Sequence, residues 1–280
     1  MPRSAACAAR RARAELVVFT LLCLWTPRLA LAQQVEADAV VRAPHEVQPE
    51  RPTVATHAGT VSPGWVEIEL GGEHDLYQDG GKAVSFPANL KIGISQRAQL
   101  NVTAAGIRGT AASSSAHGLG DVTIGVKYRL LENAPIIRDF AILPSLKLPS
   151  ASVARGLGTG TTDIGLLLIS SRAVGLADVD INIGASRHFG GVSGSPTLST
   201  LWTVSAGLPI AGPFGWTGEL YGFPGTAGTG GSERIVAVLT GPTWQPVQWL
   251  AADVGVIEPI AGPQPRAFYA GFVWNVGKLP

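Results

Sequence analysis

Any chemistry this chain performs would have to come from histidine, serine and carboxylate side chains. Its two cysteines, Cys7 and Cys23, both lie in the first thirty-two residues. His45, His57, His74, His117 and His188 are scattered, with no His-x-x-x-His or His-Glu-x-x-His spacing, so no metal site is expected. Ser186, His188 and Ser193 are neighbours and could supply a nucleophile and a base. A hydrolase also needs a group that orients the base, and nothing in the spacing names one. The plainer reading is a solvated rim, so no catalytic residue is expected. Gly156-Leu157-Gly158-Thr159-Gly160 is glycine-rich but lacks the Lys-Ser/Thr and helix that a phosphate cradle requires. No cofactor is expected.

The chemistry-bearing residues that do recur with a pattern are charges at every second position. In 121–130, Val122, Ile124, Val126, Tyr128 and Leu130 alternate with Asp121, Thr123, Gly125, Lys127 and Arg129. Similar alternation runs through 97–104, 139–148, 178–186 and 267–276. Period-2 alternation is the strand signal. Twelve candidate strands follow, near 64–70, 84–95, 97–107, 119–130, 138–149, 161–172, 177–189, 197–209, 214–222, 233–246, 249–259 and 266–277. Most run ten to fourteen residues, whereas strands of soluble proteins average about 5–6 and a tilted membrane-crossing strand needs about 9–11. The gaps between them tend to alternate long and short, as in barrels with short periplasmic turns and longer outer loops.

Composition agrees. Charged residues make up 15% against about 25% in ordinary soluble domains. Hydrophobic residues reach 46%, which excludes a disordered chain, and a net charge of +1 gives no basic surface for nucleic acid. Arg3, Arg10, Arg11 and Arg13 precede the apolar run 16–27, and Ala30-Leu31-Ala32 follows it. This order predicts a signal peptide over 1–32, since the run is too short for a helix that needs about 20 residues to span. Residues 33–62, with Pro44, Pro49 and Pro52, read as a disordered periplasmic tail. Residues 63–280 then form the barrel.

An exported, bilayer-length barrel should be inverted, with apolar side chains outside and a polar lumen. Tyr128, Trp202, Trp216, Phe268 and Trp274 would form its interfacial girdles. The lumen-lining charges would be Glu67, Glu69, Asp121, Asp139, Asp163, Asp178, Asp180, Glu219 and Asp253 against Lys91, Arg97, Lys127, Arg129, Lys147 and Arg234. Asp121 and Lys127 lie about 20 Å apart at strand rise, so each must find cross-strand partners. The expected fold is all-β: a transmembrane antiparallel up-and-down barrel of about twelve strands in the outer membrane.

The segment Gly118-Leu119-Gly120-Asp121-Val122-Thr123-Ile124-Gly125-Val126-Lys127-Tyr128-Arg129-Leu130 resembles the G-x-G-D-x-x-x-G-x-K-Y strand of the phenol-degradation meta-pathway family of outer-membrane transporters. Gly158-Thr159-Gly160-Thr161-Thr162-Asp163 resembles a glycine-rich strand entry of that family. Ala252–Val256 with Phe268–Phe272 resembles its closing hairpin. The likeness spans roughly 118–276, and the first motif is the more specific. It implies uptake of small, often aromatic compounds. One departure is the ending Gly277-Lys278-Leu279-Pro280, where such barrels end in an aromatic residue. The expected function is a passive channel for small molecules, without catalysis, in contact with outer-membrane lipid and the barrel-assembly machinery. A lipid-acting barrel enzyme and a structural or surface-interaction barrel are the alternatives.

Overall fold

Alternating side chains force a choice of which face meets which medium, and a computed structural model of the chain shows the choice made. It describes residues 43, 45–111, 114–191, 197–225 and 233–280. The expected signal peptide and residues 33–42 lie outside the described residues. One compact unit covers Pro44–Pro280. Its strands are β1 (Trp65–Leu76), β2 (Lys82–Ser95), β3 (Ala98–Ala111), β4 (Ser114–Leu119), β5 (Val122–Ala134), β6 (Arg138–Leu148), β7 (Thr161–Val174), β8 (Ala177–Gly190), β9 (Leu198–Ala211), β10 (Phe214–Phe223), β11 (Ile235–Val247), β12 (Leu250–Ala261) and β13 (Arg266–Lys278).

Each strand pairs antiparallel with its neighbours, and β1 pairs with β13, which closes the barrel. β4 and β5 both pair with β3 and act as one stave broken at Gly120-Asp121, so the barrel has twelve staves. The break has a local cause. Asp121 accepts the backbone N–H groups of Ala151 and Thr159, each at 3.0 Å, and Leu157 is buried against Gly118. A Cβ on Gly118 would come within 2.6 Å of the Leu157 side chain, and the φ of +154° there also favours glycine. The β6–β7 connection is thereby drawn back over the rim.

The barrel is inside-out. Ile124 and Val126 are each 39% exposed on the outer wall, while Lys127 between Val126 and Tyr128 is completely buried. Tyr128, Trp216, Trp244 and Trp274 stand exposed toward the end where the chain termini of the barrel meet, and Phe86, Phe189 and Phe268 toward the other. Two aromatic belts flanking an apolar band are what a bilayer selects. Trp202 is half-buried over Gly222, whose missing side chain makes room for the ring. The connections at the terminal end are short and those at the far end long, which sets the former as periplasmic.

Two expectations need correction. The first strand does not stop at residue 70: Gly71 through Leu76 stay paired to β13, with Gly71 opposite Gly271 and Asp75 opposite Ala267. Glycines and charges there read as loop, but they are wall, with Gly71, Glu73 and Asp75 toward the lumen and Gly72 and His74 toward the outside. The second concerns the tail. Residues 45–62 are not an unstructured periplasmic segment; they are folded into the barrel and bonded to its inner wall.

Candidate functional site

An extended segment without secondary structure must find partners for every backbone N–H it buries. Residues 45–62 find them in side chains of the wall. The N–H of Gln48 donates to Glu67 at 2.8 Å and that of Glu50 to Glu69 at 2.7 Å. Val54 and Ala55 donate to the two oxygens of Glu219 at 2.8 and 2.7 Å. Thr56 exchanges bonds with Asn182 at 2.7 and 2.9 Å. Ala58 donates to Ser171 and Val61 to Gln99, both at 2.7 Å. Pro49 and Pro52 have no N–H to satisfy.

The path of the segment follows from these contacts. It starts near the periplasmic mouth, where Val47 N–H donates to Gln248 O at 2.8 Å and the His45 ring packs against Trp65. It rises past Glu67 and Glu69 to Arg51. It then crosses to Glu219 and descends past Asn182 and Ser171 to Thr60, which reaches Gln96 O in the β2–β3 turn at 3.2 Å. The result is a hairpin-shaped plug in the periplasmic half of the lumen.

Side-chain charge locks it. Arg51 makes a two-point pair with Asp253, both contacts at 3.0 Å. Its guanidinium lies flat over Gly71 and Gly271, where a Cβ would come within 2.2 and 2.4 Å of it. Glu50 is placed against Lys127 and also accepts from Gln99 at 3.0 Å and Asn101 at 3.1 Å. Lys91 bridges Glu67 and Glu69, the latter at 2.7 Å, and donates to Gln48 O. Lys91, Lys127 and Glu67 are all fully buried. Charges so placed are tolerable only when paired and hydrogen-bonded, and Glu50 of the plug supplies the counter-charge that Lys127 receives.

Above the plug the lumen opens as a cavity of about 700 Å³. Residues Glu50 to Thr56 form its floor. Its wall mixes hydroxyls (Ser145, Ser186, Ser199) with apolar groups (Leu143, Leu167, Leu201). The lumen is not uniformly polar, as expected from the alternation: Tyr221, Leu239, Ile257 and Tyr269 form a buried apolar cluster on its β10–β13 side. Tyr269 fits because Gly255 and Gly241 beneath it lack a Cβ, which would lie 2.3 and 2.8 Å from its hydroxyl.

The sequence-derived charges fall into groups. Glu67, Glu69, Lys127, Glu219 and Asp253 meet the plug directly, and Asp180 does so through Ser171 at 2.5 Å. Lys147 and Asp163 pair at 2.6 Å near the outer mouth, with Asp121 3.7 Å from the same ammonium. At that rim Asp121 is pushed upward by burial, but the Thr159 and Ala151 N–H groups and Lys147 outweigh this and hold its pKa below the ordinary carboxylate range. Arg129 is half-buried and donates to Gln96 O at 2.9 Å. Asp139 accepts the Asn133 N–H at 2.8 Å within the β5–β6 turn. Arg97, Asp178 and Arg234 are exposed at barrel ends, not in the lumen, because alternation fixes a face and not a depth. Sequence reasoning missed Glu50 and Arg51, and the amides Gln99, Asn101 and Asn182. Uncharged residues gave no charge signal, and the plug has no periodicity.

Residues 50–257 match the family model described as "Putative MetA-pathway of phenol degradation". No curated protein matches the chain. An outer membrane channel from Pseudomonas putida F1 is similar in fold, with a TM-score of 0.62 at 13% identity over 82% of this chain and 99% of that one. The translocator domain of the autotransporter NalP from Neisseria meningitidis gives a TM-score of 0.46 at 10% identity, over 76% of this chain and 89% of that one. The closed, inverted barrel is thus of the outer-membrane kind.

Proposed function

The chain belongs to the family of the MetA pathway of phenol degradation, and from that premise we propose that it is a passive outer-membrane channel for small molecules, held shut by residues 45–62. The observation that supports this reading is the outward cavity of about 700 Å³ with the plug as its floor. A solute enters from outside, rests against a wall of hydroxyl, leucine and tyrosine side chains, and passes when the plug yields. A lining of this kind suits compact, mostly uncharged molecules of aromatic size, since apolar surface drives residence and scattered hydroxyls satisfy one or two polar groups. The proposed selectivity comes from cavity shape and wall chemistry, to which Glu50 and Arg51 in the floor and Glu69, Glu73 and Asp121 in the lining add charge.

The test is conductance of refolded protein in planar bilayers, beside a variant lacking residues 45–61. The expected result is low, intermittent conductance for the whole chain and sustained conductance for the variant. A variant that folds and stays silent overturns the channel reading.

A further inference from the structure

Asp163 on β7, His188 on β8 and Ser199 on β9 lie side by side on the lumen wall at the outer mouth. Asp163 and His188 are direct cross-strand partners, and Ser199 is partnered with Ser186, one lumen-facing position from His188. His188 Nδ1 is 2.9 Å from Asp163 Oδ1, and His188 Nε2 is 3.0 Å from Ser199 Oγ. The Nδ1 contact is bent from a straight hydrogen bond, as Asp163 Oδ1 makes no well-aligned one, a feature common in catalytic sites before substrate arrives. The order matters: carboxylate to one ring nitrogen and hydroxyl to the other is the arrangement in which a histidine can take a serine proton while its imidazolium is stabilised from behind. Ser199 lines the outer cavity, while His188 and Asp163 stand behind it. Lys147, 2.6 Å from the other oxygen of Asp163, holds that carboxylate in place.

We propose that Ser199 is a nucleophile, His188 its general base and Asp163 the positioning residue of a site that hydrolyses small carboxylic esters held in the outer cavity. Ser199 Oγ attacks the ester carbonyl carbon and its proton moves to His188 Nε2. The carbon–oxygen bond to the alcohol breaks, and the alcohol leaves with that proton. Water then attacks the acyl-Ser199 ester, giving its proton to His188, which returns it to Ser199 Oγ as the carboxylic acid departs. The Ser186 hydroxyl, opposite Ser199 and facing the same cavity, is placed to donate to the oxyanion. The apolar wall formed by Leu143, Leu167 and Leu201 selects uncharged esters with a compact apolar acyl or alcohol part. This proposal departs from the expectation of a barrel without catalysis and does not depend on whether the lumen conducts.

The experiment uses the full chain refolded in detergent, with heat-shifted gel mobility as the folding control, and two probes: a fluorophosphonate and p-nitrophenyl butyrate. The expected result is one phosphonyl adduct, mapped to Ser199, together with ester turnover. Ser199→Ala loses both. His188→Gln slows labelling at least a hundredfold, and Asp163→Asn lowers kcat by roughly a hundred- to ten-thousandfold with KM unchanged. Where His188→Gln gives no heat-shifted band, His188→Asn carries the comparison. Folded wild-type protein that takes no label, or labelling at the same rate in the folded histidine variant, overturns the proposal and leaves the three contacts as ties between staves.

Discussion

Arg51→Ala is the most direct probe of the plug, because it alters the plug and leaves the barrel wall untouched. Arg51 and Asp253 form a two-point pair whose side chains are 12% and 4% exposed. Removing one partner of a buried pair costs about 3–5 kcal/mol, mostly by stranding the other charge. Arg51 lines the cavity, so truncating it opens a path for water to Asp253 and the lower end applies, about 3 kcal/mol. At about 1.4 kcal/mol per decade, the undocked population of residues 45–62 rises roughly a hundredfold. Glu219, Asn182 and the Glu50–Lys127 pair still hold, so the closed state stays dominant. Single-channel recording should show openings about a hundred times more frequent, at unchanged conductance per opening. Opening frequency equal to wild type in protein with normal heat-shifted mobility would refute the claim that this pair fastens the plug.

Other outcomes follow from the same geometry. Glu219→Ala strands the N–H groups of Val54 and Ala55 and the Thr203 hydroxyl, at about 1–3 kcal/mol for each unsatisfied group. Faster amide hydrogen exchange at residues 54–56 checks it. A Cβ at Gly255 would lie 2.3 Å from both the Tyr269 hydroxyl and the Thr240 backbone oxygen, so Gly255→Val should strain the β11–β12 wall as well as displace Tyr269, read as a lower urea midpoint in vesicles. Ile124→Arg on the lipid face, midway between the two aromatic belts, should cost about 2–4 kcal/mol, read as a lower urea midpoint in vesicles. Asp121 has a lowered pKa in the folded state, so its contribution is full above the ordinary carboxylate range and is lost as pH falls through the folded value. Cleavage at Arg155 in the β6–β7 connection should therefore rise in acid, and Asp121→Asn should raise it at neutral pH and flatten the response.

The barrel was legible because period-2 alternation repeats over lengths a bilayer demands, and Val122–Leu130 states it plainly. The inversion was legible from strand length together with the expected signal peptide. What escaped has a physical reason in each case. Residues 45–62 are held by wall side chains 19 to 165 positions away accepting their backbone N–H groups, and no local pattern encodes an acceptor that distant. Gly71–Asp75 looked like loop because glycine there serves the Arg51 guanidinium, not a turn. Sequence proximity put His188 beside Ser186 and Ser193, whereas register put it beside Ser199 and Asp163. Only the pairing of β7 with β8 brings the carboxylate across.

Both ends of the hairpin formed by residues 45–62 lie at the same mouth, beside Gln248 at one end and Gln96 at the other. Such a stopper can be drawn out without unzipping a single stave.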